Sequence, residues 1–344
     1  MIARSTPTVG SPQLGFADVF LRLQPQLGEL DRFLRSQLSS FEPEIRSAVE
    51  YCLEGSGKRI RPALVFFSGW RDAEQIAPPL VRAAAVVEMV HLATLVHDDI
   101  MDGADVRRNQ PTVARRFGAD VAVLLGDALL AHAVYMAAQF PSAEICRVVS
   151  DATRRVCAGE IAQTLRRGDP AITLVDYRRI IGLKTAELFR LSCLLGSGLA
   201  GFEDGFVEAA AAFGQRLGSA YQIYDDLVDF FGEEKRIGKT LGTDLSGGKV
   251  TLPTLVLLSK LPAGERDELM EEIRQRRAPS LEGRRALMRT HGVFSEVADN
   301  VRVELEAGAA LLVPWAHLEP TSLLVQVLGL LQDQVSSLPC GTVA

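Results

Sequence analysis

Residues 91–102 read HLATLVHDDIMD, and the last six, His97-Asp98-Asp99-Ile100-Met101-Asp102, decide what kind of molecule this is. The residues ahead of them, from 79 onward, are apolar on most faces, so the aspartates end a helix that belongs inside a bundle. On a helix, i and i+4 share a face about 5–6 Å apart, which stacks Asp98 with Asp102. Like charges so placed cost about 0.2–0.5 kcal/mol per pair. The C-terminal end of the helix dipole favours cations instead. The pattern recurs in Tyr224-Asp225-Asp226-Leu227-Val228-Asp229, where Asp225 stacks with Asp229. A single cluster of this kind reads equally well as a solvated helix end. Two DDxxD clusters, each closing a core-type helix, require a counter-charge. Hard oxygen ligands suit Mg²⁺, which keeps waters and takes one or two carboxylates plus substrate phosphate oxygens.

Outward from these clusters the sequence is helical nearly throughout. Apolar residues recur at three- and four-residue spacing near 14–39, 58–70, 79–102, 119–139, 142–166, 173–198, 204–231, 251–260, 265–275, 280–291, 294–312 and 319–336. Prolines and glycines mark the breaks, as at Pro43, Pro141, Gly168–Pro170 and Pro314. No Ser/Gly/Pro linker divides the 344 residues, so the reading is all-α and single-domain over 14–336. It has a flexible N-terminus at 1–13 and a tail at 337–344. With 43 acidic and 37 basic residues the chain carries −6, which gives it no bulk attraction to nucleic acid or an anionic membrane. Five widely spaced cysteines without a CxxC suit a reducing, cytoplasmic setting, with four of them read as buried thiols. No secretory signal is evident, and no stretch is read as a membrane span; Ala128–Ala143 comes nearest.

Basic groups complete the picture. Gly55-Ser56-Gly57-Lys58-Arg59-Ile60-Arg61-Pro62 opens a helix, and backbone N–H groups there favour anions. Arg107-Arg108 follows the first aspartate cluster, and the arginine fork matches phosphate oxygens. Taken singly, each pair reads as ordinary solvated charge; beside an acidic cluster that balance shifts. Lys184 lies in an apolar helix and either snorkels or points into a polar cavity. Gln222 shares the face of Asp226. A glycine-rich loop from Gly232 carries Lys239 and Lys249, which would close over an anion. GxSxG, HExxH and P-loop patterns are absent, so nucleophilic chemistry has no support. The whole describes a site for a substrate with a diphosphate head and a hydrocarbon body.

These residues resemble the trans-isoprenyl diphosphate synthases, or polyprenyl synthetases. The matching elements are GKRIRP (57–62), HLATLVHDDIMDGADVRRNQPT (91–112), GD (126–127), GE with a following Gln (159–163), KTAELF (184–189), YQIYDDLVDF (221–230) and GKTLGTDLSGGKVTLP (238–253), in family order. The resemblance implies an all-α isoprenoid synthase fold around a deep central cavity, a homodimer, and head-to-tail condensation of isopentenyl diphosphate with an allylic diphosphate. It implies Mg²⁺ held by Asp98, Asp102, Asp225 and Asp229, with Asp99, Arg107, Lys184 and Asp226 also at the reacting centre. Arg107, Lys184, Thr185, Gln222, Lys239 and Lys249 match allylic-substrate contacts, and Lys58, Arg61, His91 and Arg108 match the isopentenyl diphosphate site.

Product length should follow from cavity depth. Ala93 and Thr94, one turn before Asp98, are small, and Val90, Val87 and Val86 beyond them are modest. Short-chain members of the family often carry aromatic side chains at that level. This predicts geranylgeranyl length or longer, a medium- or long-chain member, with Tyr135 or Met136 as a floor. A class I terpene cyclase is the first rival, but it lacks the GKRIRP and RR elements. A non-catalytic subunit of a heteromeric synthase is the second, but such subunits lose aspartates that are intact here.

Overall fold

The computed structural model describes residues 21–54, 57–71, 76–234, 241–277 and 280–339, with Leu245 by its backbone alone. Helices run in the order α1 (Gln24–Ser36), α2 (Pro43–Glu54), α3 (Ile60–Ser68), α4 (Pro78–Met101), α5 (Val113–Phe117), α6 (Ala119–Ala138), α7 (Ala143–Leu165), α8 (Leu174–Ile181), α9 (Glu187–Leu199), α10 (Asp204–Phe231) and α11 (Thr243–Ser246). They continue with α12 (Leu252–Lys260), α13 (Ala263–Arg274), α14 (Leu281–Thr290), α15 (Val293–Leu312) and α16 (Glu319–Ser336). The all-α expectation holds, and most predicted helix ends fall within a residue or two.

Local chemistry sets those ends. Pro79 and Pro253 stand in first turns, where a missing N–H costs nothing. Ser142 caps α7 by accepting from the Glu144 N–H, and Thr173 with Asp176 makes a capping box on α8. The helix α4 is buried on most of its surface and packs against α3, α6 and α9; α10 lies between α9 and α15. The two aspartate-bearing helices are thus core helices, which fixes the position of their ends.

Several expectations are corrected. Residues 43–54 form the helix α2, which its polar outer face (Glu44, Arg46, Glu50) concealed in the sequence. Among the described residues, the segment expected over 14–39 is helical at Leu21, is interrupted by a turn at Arg22–Leu23, runs as a helix over Gln24–Ser36 and tightens into a 3₁₀ turn at Gln37–Ser40; residues 14–20 lie outside the described residues. The segment 173–198 is interrupted by a π turn, Gly182–Ala186. A two-stranded hairpin, β1 (Val106–Arg107) with β2 (Gln110–Pro111), follows α4. By length and composition two helices, α4 and α6, could cross a membrane; the apolar window of α4 is 72% buried within the bundle and that of α6 44%. Of the thiols, Cys52 and Cys193 are buried, Cys146 is half-buried and Cys157 exposed, while Cys340 lies outside the described residues.

Candidate active site

The first cluster ends α4 and the second ends α10, and the six carboxylates divide into two kinds. Asp99, Asp226 and Asp229 are turned into the protein, at 5%, 2% and 1% exposure. Asp98, Asp102 and Asp225 keep access to solvent. A guanidinium from the hairpin meets the first cluster: Arg107 donates to Asp99 Oδ1 through Nε at 2.7 Å, with Nη2 2.6 Å from the same oxygen. It also lies in the field of Asp98 and Asp225, and these acids hold its proton more tightly despite burial. One cation from the hairpin therefore senses carboxylates of both clusters.

The buried carboxylates orient their neighbours. Asp226 accepts from the Tyr177 hydroxyl at 2.6 Å and from Gln222 Nε2 at 2.7 Å, and Gln222 Oε1 accepts from Thr185 at 2.6 Å. Asp229, expected as a metal ligand, instead caps α11: its carboxylate accepts from the Thr243 N–H and hydroxyl and the Asp244 N–H at 3.1–3.3 Å. Its burial follows from that capping, which leaves Asp225 as the open member of the stacked pair.

The π turn presents Lys184 and Thr185. Such turns widen a helix by one residue and free a carbonyl; here Gln215 Nε2 donates to the Gly182 carbonyl at 3.1 Å. Lys184 Nζ donates to Gln163 Oε1 at 2.9 Å, pairs with Glu160, and lies 3.7 Å from Asp98 Oδ2. Burial, with Glu160 and Asp102 close by, pushes the Asp98 carboxyl up to about 6 against the pull of Lys184. Asp102 meets Lys249 and also Arg167, which sequence reading missed because no motif contains it. Lys239 lies outside the described residues.

A basic pole adjoins this acidic one. Arg61 Nη1 lies 3.0 Å from His91 Nε2, and its guanidinium stands 4.8 Å from the Phe189 ring centre. Burial together with Arg61, Arg108, Arg107 and Arg59 holds the His91 ring well below the usual imidazole range, so the neutral ring accepts from Arg61. Arg108 and Asn109 form the hairpin turn with φ of 53° and 61°, the left-handed geometry of a type I′ turn. Gly57 lies flush on Arg108: a Cβ there would come within 2.5 Å of the guanidinium carbon. Lys58 is exposed beside it. Arg59 is turned away to the buried Glu88 at 2.9 Å.

The residues expected to set chain length lie on α4 between His91 and Asp98. Ala93 is 1% exposed, and half-buried Thr94 donates to the His91 carbonyl at 2.8 Å. Tyr135 is 58% exposed and points away from the core, so Met136, which is buried, is the remaining floor residue of the expected pair. A cavity of about 20 Å³, the size of one water, abuts Tyr177, Gln222, Asp226 and Lys249. Another of about 240 Å³ lies between α1, α2 and Arg59.

The family model for polyprenyl synthetases matches residues 42–288, which include both aspartate helices, the hairpin and the π turn. The chain belongs to the polyprenyl synthetase family. Among curated relatives, the octaprenyl diphosphate synthase of Escherichia coli (strain K12) is 36% identical over 219 residues, covering 64% of this chain and 68% of its own. The heptaprenyl diphosphate synthase component 2 of Bacillus subtilis (strain 168) is 38% identical over 221 residues, covering 64% and 63%. Among solved structures, a polyprenyl synthase from Caulobacter crescentus CB15, complexed with calcium and isoprenyl diphosphate, superposes with a TM-score of 0.86 at 27% identity over 93% of this chain and 98% of that one. This polyprenyl synthetase is therefore a prenyltransferase that condenses isopentenyl diphosphate with an allylic diphosphate.

Proposed function

We propose that the chain is a Mg²⁺-dependent all-trans polyprenyl diphosphate synthase of geranylgeranyl length or longer, acting as a homodimer. The observation that carries this reading is the end of α4, where Lys184 lies 3.7 Å from Asp98 Oδ2, Lys249 2.8 Å from Asp102 Oδ2 and Arg107 2.7 Å from Asp99 Oδ1, so that carboxylates and cations suited to a diphosphate share one place. The donor set fits the ion. Asp98, Asp102 and Asp225 offer hard oxygens that keep access to solvent at the ends of α4 and α10. Among the described residues no three acidic, His or Cys side chains converge closely enough to hold an ion unaided. Mg²⁺ needs no such cage where phosphate oxygens complete its shell.

In this mechanism Asp98, Asp102 and Asp225 would hold the ion, which when bound neutralises charge on a departing diphosphate. Arg107, Lys184 and Lys249 face the same allylic diphosphate and stabilise it as it leaves, already oriented by Asp99, Gln163 and Asp102. Arg61, Arg108, Lys58 and neutral His91 receive the second diphosphate, placing the isopentenyl double bond against the allylic carbon. Apolar walls from α4 and α9 keep water from the cation. The allylic C–O bond breaks first with diphosphate as the leaving group, the isopentenyl double bond then attacks the allylic cation, and the proton lost passes to a diphosphate oxygen, so no side-chain base is required.

The relatives' names support the longer lengths, as octaprenyl and heptaprenyl synthases, and small Ala93 and Thr94 agree. Exposed apolar residues on α6 and α7, among them Leu124, Tyr135, Ile161 and Leu165, support a second copy. The test is to incubate the purified chain with Mg²⁺, isopentenyl diphosphate and each allylic primer, then size the products. Prenyl diphosphates of twenty carbons or more are expected, with turnover abolished by EDTA and reduced at least a hundredfold by Asp98→Ala. Full turnover in excess chelator would refute the metal role. Activity only after adding a second protein would refute the homomeric assignment.

A further inference from the structure

Arg167 belongs to no motif, yet it occupies the first aspartate cluster. Its Nη2 donates to Asp102 Oδ1 at 2.7 Å and its Nη1 to the Met101 carbonyl at 3.2 Å. Lys249 Nζ takes the other carboxylate oxygen, Oδ2, at 2.8 Å. Each oxygen of Asp102 therefore already carries a cation. The arrangement is built rather than incidental. The Arg167 side chain is 13% exposed, and its Nε is buried without a hydrogen-bond partner. Arg276 donates to the Arg167 carbonyl at 3.2 Å, and the Gly168 N–H donates to the Gly248 carbonyl at 2.8 Å. The turn after α7 and the turn before α12 are thus tied together, and from them two cations converge on one carboxylate.

A lone pair that accepts from a guanidinium is not open to a metal. We propose that Arg167 is a resident counter-charge on Asp102 that a divalent ion must displace, so that the free protein binds the ion weakly and takes it up together with a diphosphate. The displaced guanidinium, whose Nε has no partner to lose, then offers its donors to the phosphate oxygens that arrive with the ion. Arginine suits the task because its rigid fork spans the Asp102 carboxylate and the Met101 carbonyl at once. Arg167 is thus a positioning residue for metal uptake. The inference rests on the reading of Asp102 as a ligand given above.

The experiment is a Mn²⁺ titration of the full chain followed by the electron paramagnetic resonance of free Mn²⁺, without substrate and then with inorganic diphosphate. Without diphosphate, Arg167→Gln should bind Mn²⁺ roughly fivefold or more tightly than the parent, the low end of usual couplings between sites. With diphosphate the difference should shrink below twofold. Arg167→Lys, which keeps the charge, should stay within twofold of the parent. Arg167→Ala serves if the glutamine variant does not fold by circular dichroism. Arg166→Gln removes the same charge one residue away, where the pairs are Asp169 and Asp176; it should change affinity less than twofold. Equal affinity of the Arg167 variants and parent, or an equal gain in Arg166→Gln, would overturn the proposal. If Asp98→Asn and Asp102→Asn leave Mn²⁺ binding untouched, the metal reading itself fails, a result separable from failure of the Arg167 step.

Discussion

His91 illustrates how one side chain is set by what surrounds it. Its ring is half-buried among four guanidinium groups and lies 3.0 Å from one of them, so protonation is costly in the fold. The unfolded ring titrates near 6.5 and the folded ring well below it, so stability is full above 6.5 and is lost progressively as pH falls from there toward the lowered folded value. Melting temperature should therefore fall more steeply from pH 7.5 to pH 5 in the parent than in His91→Gln; parallel curves would remove the assignment. Arg108 supplies a second test. Its left-handed backbone costs about 1–2 kcal/mol, so Arg108→Gly should keep or slightly raise stability while the KM for isopentenyl diphosphate rises at least tenfold. A stable variant with an unchanged KM would exclude Arg108 from that site. At this scale the sequence displayed the charged residues but not their pairings. The DDxxD spacing announces six aspartates, yet which ones face outward depends on Tyr177 and Thr243, and Tyr177 stands 49 positions from Asp226. Only folding brings such partners together.

The helices themselves were the most legible level, because their punctuation is local. Proline in the first turn, a Ser or Thr cap and a following glycine each act within a few residues, and ends such as Pro78 and Phe231 follow directly. What escaped had no local signature. The π turn at Gly182–Ala186 is held between α7 and α10, with Gln215 satisfying the freed carbonyl. Gly218 makes that approach possible, since a Cβ there would lie 2.5 Å from the Ala186 Cα. Gly218→Ala should lower stability by about 1–3 kcal/mol through overpacking. The same change at Gly329, where nothing lies within 4 Å, should raise it by about 0.5–1 kcal/mol through helix propensity. Chemical denaturation of both variants reads the contrast; equal effects would mean that α9 and α10 are not held by that contact.

For the molecule as a whole, the bundle brings an acidic pole and a basic pole together at one end of an apolar interior. The helix pattern and the aspartate spacing made that architecture readable, whereas cavity depth depends on side chains from several helices at once. Thr94, half-buried one turn before Asp98, is where depth is best probed. Thr94→Phe should shorten the main product by at least one five-carbon unit, read by chromatography of the dephosphorylated alcohols; an unaltered distribution would place the channel elsewhere. The π turn has a consequence at this scale too. It inserts one residue between the phase of α8 and that of α9, and each residue advances an α-helix by about 100°. The wide turn absorbs that advance, so deleting any one of residues 182–186 would close it to an ordinary turn and withdraw Lys184 and Thr185 from Glu160, Gln163 and Gln222. Natural variants of this chain should therefore keep both the length of the segment and Lys184 and Thr185 within it.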